Sequence, residues 1–392
     1  MTDSGCGRSL RGAVAVVGVA DAVSPSGELE CRGRALEAMV VREALEDAGL
    51  AVSDVDGLCA SGNVAGLAEY MGISPRFVDS TFVGGSSPEL HLEHAAAAIA
   101  AGLCDVVVAV YAQTPRLDRR LGQAVGGVAM AGPDPQGDWE RACGLISAMG
   151  SYALVASSHM ARFGTTSQQL AQIAVDTRRW AERNPRARYQ TPISVEDVLS
   201  SPVSVSPLHK LDCCLVSDGA AAVVITSAER AAHCRRLPAY LLGAASASDH
   251  WSISQSPDLT TSPGARSGPT AFQMAGVGPG DVDVLMAYDS FTVTVLLHLE
   301  DLGFCAKGEG GPFAASGVLG PGGSLPTNTN GGGLSYTHPG QCGMFLLVEA
   351  TRQLRGECGP RQVTGAEVAV AHGAGGFLSV TGTVVLGTGA AL

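Results

Sequence analysis

Residues 328–340 read NTNGGGLSYTHPG and place Tyr336 two residues before His338 in a glycine-rich stretch. A phenol and an imidazole this close supply hydrogen-bond donors for an oxyanion and two groups able to move protons. A free phenol titrates near pH 10, so a tyrosine acting as a base needs a neighbouring donor or charge to lower that value. A further tyrosine, Tyr288, ends the apolar run LMAY and opens Tyr288-Asp289-Ser290-Phe291. Strand ends of this kind are where active-site residues of parallel sheets gather. A further histidine, His372, opens the glycine-rich HGAGG.

The elements that must hold these residues form an internal repeat. Residues 44–60 (ALEDAGLAVSDVDGLCA) and 271–287 (AFQMAGVGPGDVDVLMA) each read as a helix end, an Ala-Gly terminator, a short connection, and Asp-Val-Asp leading into a buried strand. Gly49 and Gly276 supply the left-handed C-cap that such a terminator needs. Each copy follows a strand-like run, AVAVVGVA or AYLLGAASA, and each half closes on another, AAAVVITS or VTGTVVLG. The chain therefore divides into two α/β halves, 1–232 and 233–392. In the first half, 90–102 reads as a buried helix ended by Gly102, and CDVVVAVYA as a central parallel strand. The pattern then changes over 113–207, an inserted region. It holds a glycine-rich stretch (122–138), helical stretches at 146–163 and 167–183, and the Arg/Pro-rich turn RNPRARYQTP. Insertions between core strands are the usual place for substrate loops.

Composition narrows the function classes. Of 392 residues, 46% are hydrophobic and 16% charged, enough for a large core. A formal charge of −12 argues against nucleic acid or an anionic membrane as partner. The 11 cysteines show no metal spacing and read as reduced thiols of a reducing, cytoplasmic compartment, with no metal expected. The N-terminal segment carries arginines before an apolar run, but Gly18 and Asp21 interrupt the run, which fits a first core strand better than a signal peptide. No apolar stretch reaches the roughly 18–20 residues needed to span a bilayer.

Four phrases carry a family resemblance: 207–231 (PLHKLDCCLVSDGAAAVVITSAERA), 288–313 (YDSFTVTVLLHLEDLGFCAKGEGGPF), 328–356 (NTNGGGLSYTHPGQCGMFLLVEATRQLRG) and 372–387 (HGAGGFLSVTGTVVLG). Together with the repeat they resemble the thiolase superfamily. More narrowly, they are similar to its sterol-carrier-protein-x thiolase-like and lipid-transfer-protein aldolase group, which includes steroid side-chain-cleaving aldolases. The resemblance implies a duplicated five-layered α/β/α/β/α fold with the inserted loop region in the first half. It also implies acyl-CoA substrates, no covalently bound cofactor, and coenzyme A entering only as part of the substrate. A homodimer and a small OB-fold partner protein, often with a zinc ribbon, are further expectations.

The same resemblance locates the site. The thiolase nucleophile belongs at the start of the helix preceding CDVVVAV, where this chain has Gly84-Gly85-Ser86 and no cysteine. The second thiolase cysteine corresponds to His372, and the asparagine of the Asn-Glu-Ala-Phe motif to Tyr288. Tyr288 and Tyr336 match the tyrosines of the steroid side-chain-cleaving aldolases, one as base and the other as acid, in either order. His338 and His372 would assist them and bind the oxyanion, with Gly85, Ser86 and Gly375 against the substrate. Without a cysteine, covalent acyl transfer gives way to retro-aldol cleavage of a β-hydroxyacyl-CoA into a ketone or aldehyde and a shorter acyl-CoA. Two alternatives stay open: an acyltransferase using Ser86 or Cys342, and a non-catalytic lipid carrier or scaffold. The arginines at 116, 119, 120, 178, 179, 183, 186 and 188 read either as contacts for coenzyme A phosphates or as a solvated face.

Overall fold

The long strands are β-branched or alanine-rich and buried on both faces, so helices must cover each side of the sheet. The computed structural model describes residues 10–123 and 135–392. Its strands are β1 (Val14–Ala22), β2 (Gly57–Ala60), β3 (Phe77–Asp79), β4 (Val106–Gln113), β5 (Val203–Val205), β6 (Leu208–His209), β7 (Gly219–Ser227), β8 (Ala239–Ser248), β9 (Val284–Ala287), β10 (Val368–Gly375) and β11 (Val380–Gly387). Strands β5 and β6 make a separate hairpin, and the other nine form one mixed sheet in the order β3-β2-β4-β7-β1-β8-β11-β10-β9.

The duplication is visible in that order. In the first half the β2/β4 pair is parallel, and β4/β7 and β7/β1 are antiparallel. In the second half β9/β10 is parallel, and β10/β11 and β11/β8 are antiparallel. The halves join edge to edge where Ala15 and Val16 pair with Tyr240 and Ala239. Helix Gly33–Ala48 covers the outer face of the first half and Gly264–Ala275 that of the second. Helices Ser87–Ala100 and Gly343–Arg355 lie between the halves and touch strands of both. The layers run α/β/α/β/α. Helix Gly343–Arg355 is buried all round except at Arg352, as a core helix must be.

Strands β4 and β7 stay in register from Val106↔Thr226 to Gln113↔Gly219, so the insertion between them leaves and re-enters the sheet at one point. Its helices Ala148–Phe163 and Ser167–Ala181 agree with the helical stretches read from the sequence. Of the glycine-rich stretch at 122–138, residues 124–134 lie outside the described residues, as do residues 1–9 of the N-terminal segment. Helix Ser167–Ala181 packs on helices Thr292–Asp301 and Gly310–Ala315 and on the glycine-rich loop around residue 333. No helix among the described residues is long and apolar enough to cross a membrane.

One contact recurs in both halves. Gly18 in β1 lies against the Ala44 carbonyl of the first outer helix, and Gly243 in β8 lies against the Ala271 carbonyl of the second; a Cβ at either glycine would collide with that oxygen. Glycine inside a strand marks such close backbone approach. Replacing Gly243 by alanine should therefore push helix Gly264–Ala275 off its sheet and destabilise the fold by about 1–3 kcal/mol, read as a lower denaturant midpoint. Gly18→Ala should act similarly in the first half.

Candidate active site

The first central helix begins at a backbone with no room for a side chain. Gly84 takes φ 85°, a left-handed value, and Ser87 braces the turn by accepting from Val83 N–H (3.0 Å) and donating to the Gly84 carbonyl (2.8 Å). A Cβ at Gly85 would collide with the Ala374 carbonyl and with the ring of Tyr288. The phenol of Tyr288 thus fills the space that a side chain at position 85 would occupy. A nucleophile at 85 and a tyrosine in this pose exclude each other.

Tyr288 follows β9, and its N–H donates to the His372 carbonyl of β10 (2.9 Å). Its hydroxyl donates to the Gly340 carbonyl (2.8 Å) and lies 3.1 Å from His338 Nε2. A phenol has one proton, so with Gly340 accepting it, His338 in its Nε2–H tautomer donates to the phenol oxygen. The rings meet edge to face, with centroids 5.7 Å apart. Burial pushes the Tyr288 phenol well above its ordinary value and pushes His338 down to about 4, so both rest neutral. His338 is fixed by its own N–H, which donates to Ser217 Oγ (2.8 Å).

The loop that presents His338 is shaped by the residue after Tyr288. Asp289 accepts from the amides of Gly333 (2.6 Å) and Leu334 (3.1 Å), winding 332–336 into a π-type turn; a Cβ at Gly332 would collide with that carboxylate. Burial raises Asp289 to about 7, against the pull of those two amides. From the insertion, Arg178 Nε donates to Ser335 Oγ (2.8 Å) and Asn184 Nδ2 donates to the Asn330 carbonyl (2.8 Å).

The structure does not gather all four candidates at one point. Tyr336 turns away from Tyr288 and donates its hydroxyl to Asp21 Oδ2 at the end of β1. Asp21 also pairs with Arg186 (2.8 Å) and Arg352 (2.7 Å). Burial alone would raise the Asp21 carboxyl, but Arg352 and Arg186 outweigh it and hold it well below the usual range. Burial and then the Asp21 charge push Tyr336 well above the ordinary phenol value. His372 is separated by strand alternation: its ring packs on Gly264 and, at 4.4 Å between centroids, on His298, while Gly373 and Gly375 face the central helices. Its Nδ1 bonds Thr383 Oγ1 (2.8 Å), and burial lowers it to about 3.

The remaining candidates are also tied. Ser86 is fully buried and donates to the Val380 carbonyl (3.1 Å). Gly375 lets the chain at Val83 lie on β10, since a Cβ there would collide with the Val83 carbonyl. Cys342 contacts the Thr337 carbonyl (3.5 Å), and burial pushes its thiol well above the ordinary value, which opposes the thiolate that nucleophilic attack needs. Of the arginines, Arg178 bonds the loop from a buried position, and Arg186 pairs with Asp21 while staying partly exposed. Glu89 went unremarked in the sequence, and Asp21 was read only as a break in the first apolar run. Their signal is an acid at the end of a β-branched strand and an acid within an apolar, alanine-rich helix. A cavity of about 600 Å³ lies apart from these residues, between Trp139, Leu145 and Leu154 of the insertion and Ile253 and Leu259. A more polar one of about 470 Å³ reaches Gln113, which packs on Gly340.

Comparison with known proteins agrees with this geometry. Residues 245–388 match the family model described as thiolase C-terminal domain-like. The chain is 36% identical over 371 residues to 17-hydroxy-3-oxo-4-pregnene-20-carboxyl-CoA lyase of Mycobacterium tuberculosis, covering 88% of this chain and 92% of that one. It is 34% identical to an acetyl-CoA acetyltransferase of Methanothermobacter thermautotrophicus, covering 85% and 88%. Among solved structures, the Ltp2-ChsH2(DUF35) aldolase superposes with a TM-score of 0.88 at 32% identity, over 97% of this chain and 98% of that one. With the layered, duplicated fold, these similarities establish that the chain belongs to the thiolase superfamily.

Proposed function

We propose that the chain is a carbon–carbon lyase of the aldolase type, cleaving a β-hydroxyacyl-CoA into a ketone or aldehyde and a shorter acyl-CoA. The observation that carries this reading is the Tyr288 phenol occupying the nucleophile's space with His338 Nε2 at 3.1 Å. Tyr288 takes the β-hydroxyl proton as its own passes to the neutral imidazole. For this step its hydroxyl turns from the Gly340 carbonyl to Nε2, and His338 takes the Nδ1–H tautomer in place of the resting Nε2–H form, so no free phenolate stands in an apolar site. The Cα–Cβ bond then breaks, its electrons form the thioester enolate, and protonation at the α-carbon completes the reaction. The positive end of helix Ser87–Ala100 favours the negative charge that develops on the enolate oxygen. Tyr336, bound to Asp21, serves by anchoring the loop.

The finer parts of the proposal have their own support. The lyase relative, named for a pregnene carboxyl-CoA, supports a bulky, steroid-like acyl chain here. The name of the solved relative joins its aldolase chain to a second protein, which supports a partner protein here; that the partner is a small OB-fold protein and that the chain dimerises are part of the proposal. The acetyltransferase relative favours one rival, acyl transfer from Ser86 or Cys342. A covalent acyl-enzyme seen by intact mass after mixing with acyl-CoA would establish that rival and remove the aldolase.

With the partner present, Tyr288→Phe should lower kcat/KM for release of the carbonyl product by roughly a hundredfold or more with the fold intact. Tyr336→Phe should act mainly on stability, costing about 1–2 kcal/mol through the lost bond to Asp21. Full activity in both variants would instead indicate a scaffold.

A pH profile gives a separate test. Free imidazole titrates at about 6.5, but His338 is held near 4, so kcat/KM should show no acid limb near pH 6.5. Because the folded-state value is the lower one, neutral His338 contributes stability above about pH 6.5 that is lost as pH falls through that value toward about 4. Thermal stability should fall in that window while activity of the still-folded protein does not.

A further inference from the structure

Glu89 is 1% exposed, and beyond its own backbone amide neither of its carboxyl oxygens has a hydrogen-bond partner. It sits in the first central helix among Leu90, Leu92, Ala95 and Ala96, where a leucine would fill the volume without desolvating a carboxyl. Three glycines on three different elements make room for it. A Cβ on Gly343 or on Gly373 would collide with Oε2, and one on Gly382 would stand 2.6 Å from the Glu89 Cβ. A buried acid with no other partner, in a space cleared by three glycines, is costly to keep and needs a reason.

Its position supplies one. Glu89 lies in the first turn of the helix that Gly85 and Ser86 lead into, and long helical side chains lean back toward the N-terminus. A Cβ on Gly343 would collide with Glu89 Oε2 and stand 2.6 Å from the Gly85 carbonyl, which sets the carboxyl beside the residue that Tyr288 covers. The alternation of β10 completes the picture. Tyr288 fills the room of an absent side chain at 85, and Glu89 fills the room of an absent side chain at 373.

We propose that Glu89 is the second proton-carrying residue of this site, the carboxylic acid that protonates the α-carbon of the enolate; the assignment rests on the aldol-cleavage reading. Burial pushes the Glu89 carboxyl well above the usual carboxylate range, which keeps the proton on it at neutral pH. In the step, the enolate electron pair forms the new C–H bond with that proton, the thioester carbonyl reforms, and Glu89 is left as carboxylate. It regains the proton that Tyr288 and His338 took from the β-hydroxyl, so none is gained or lost over the cycle.

The test follows the half-reaction: exchange of the α-protons of propionyl-CoA in D2O, read by mass spectrometry on the full chain with its partner. Glu89→Gln keeps shape and neutrality but has no acidic proton to give. It should melt like the unaltered protein and exchange roughly a hundredfold more slowly, with Glu89→Asp recovering part of the rate. Glu89→Leu should melt at or above the unaltered protein and exchange no faster than Glu89→Gln. Exchange at the unaltered rate in either folded variant overturns the assignment while leaving the aldolase reading in place. Absence of exchange in the unaltered protein overturns the aldolase reading and the assignment together.

Discussion

Two helices buried between the two halves of the sheet begin at the same place, and the bond from Gly343 N–H to the Gly85 carbonyl (3.2 Å) records how closely their first turns meet. Backbone this close admits no side chain at 343, and the Ala374 carbonyl and Tyr288 ring admit none at 85. Helix starts carry a partial positive charge, so two of them meeting in a water-poor layer favour negative charge at that point. The remaining functional groups enter from outside the two helices: Tyr288 from a strand end, and His338 from the loop before the second helix.

The loop is shaped by carboxylates. Asp289 gathers the amides of the π-type turn, and Asp21 receives Tyr336 together with Arg186 and Arg352. The second cluster ties the first strand, the insertion, the loop and the second central helix to one oxygen pair. An ion cluster at this depth contributes little net stability over an apolar packing, yet removing one member leaves an uncompensated charge. Its role is therefore geometric: it fixes where residues 332–338 lie, and so where His338 meets Tyr288. The insertion, read from the sequence as a bearer of substrate loops, also works as a buttress through Arg178, Asn184 and Arg186.

Neutrality is the common electrostatic theme. Tyr288, His338 and Glu89 are all buried, and burial moves each toward its uncharged form. A set of neutral groups that exchange protons over short distances suits chemistry through an enolate better than nucleophilic attack by a thiolate or alkoxide. Cys342 follows the same rule, since the burial that places it near the site also keeps its thiol protonated.

Much of this was legible in the chain itself. The repeated Ala-Gly terminators and Asp-Val-Asp connections fixed two α/β halves, because helix caps and buried strands are local properties of composition and spacing. The missing cysteine at 84–86 and the Tyr336-Thr337-His338 loop pointed to the candidate site and to the chemistry proposed for it. Tertiary structure decided which side chains meet. Strand alternation carries His372 to the face opposite the site, a matter of register that a motif does not display. The Asp21 carboxylate, 315 positions away in the chain, draws the Tyr336 hydroxyl aside. Glu89 became visible only once Gly343, Gly373 and Gly382 were folded around it. Local sequence specifies elements and their ends, whereas the partner of a buried polar group is set by packing between elements far apart in the chain.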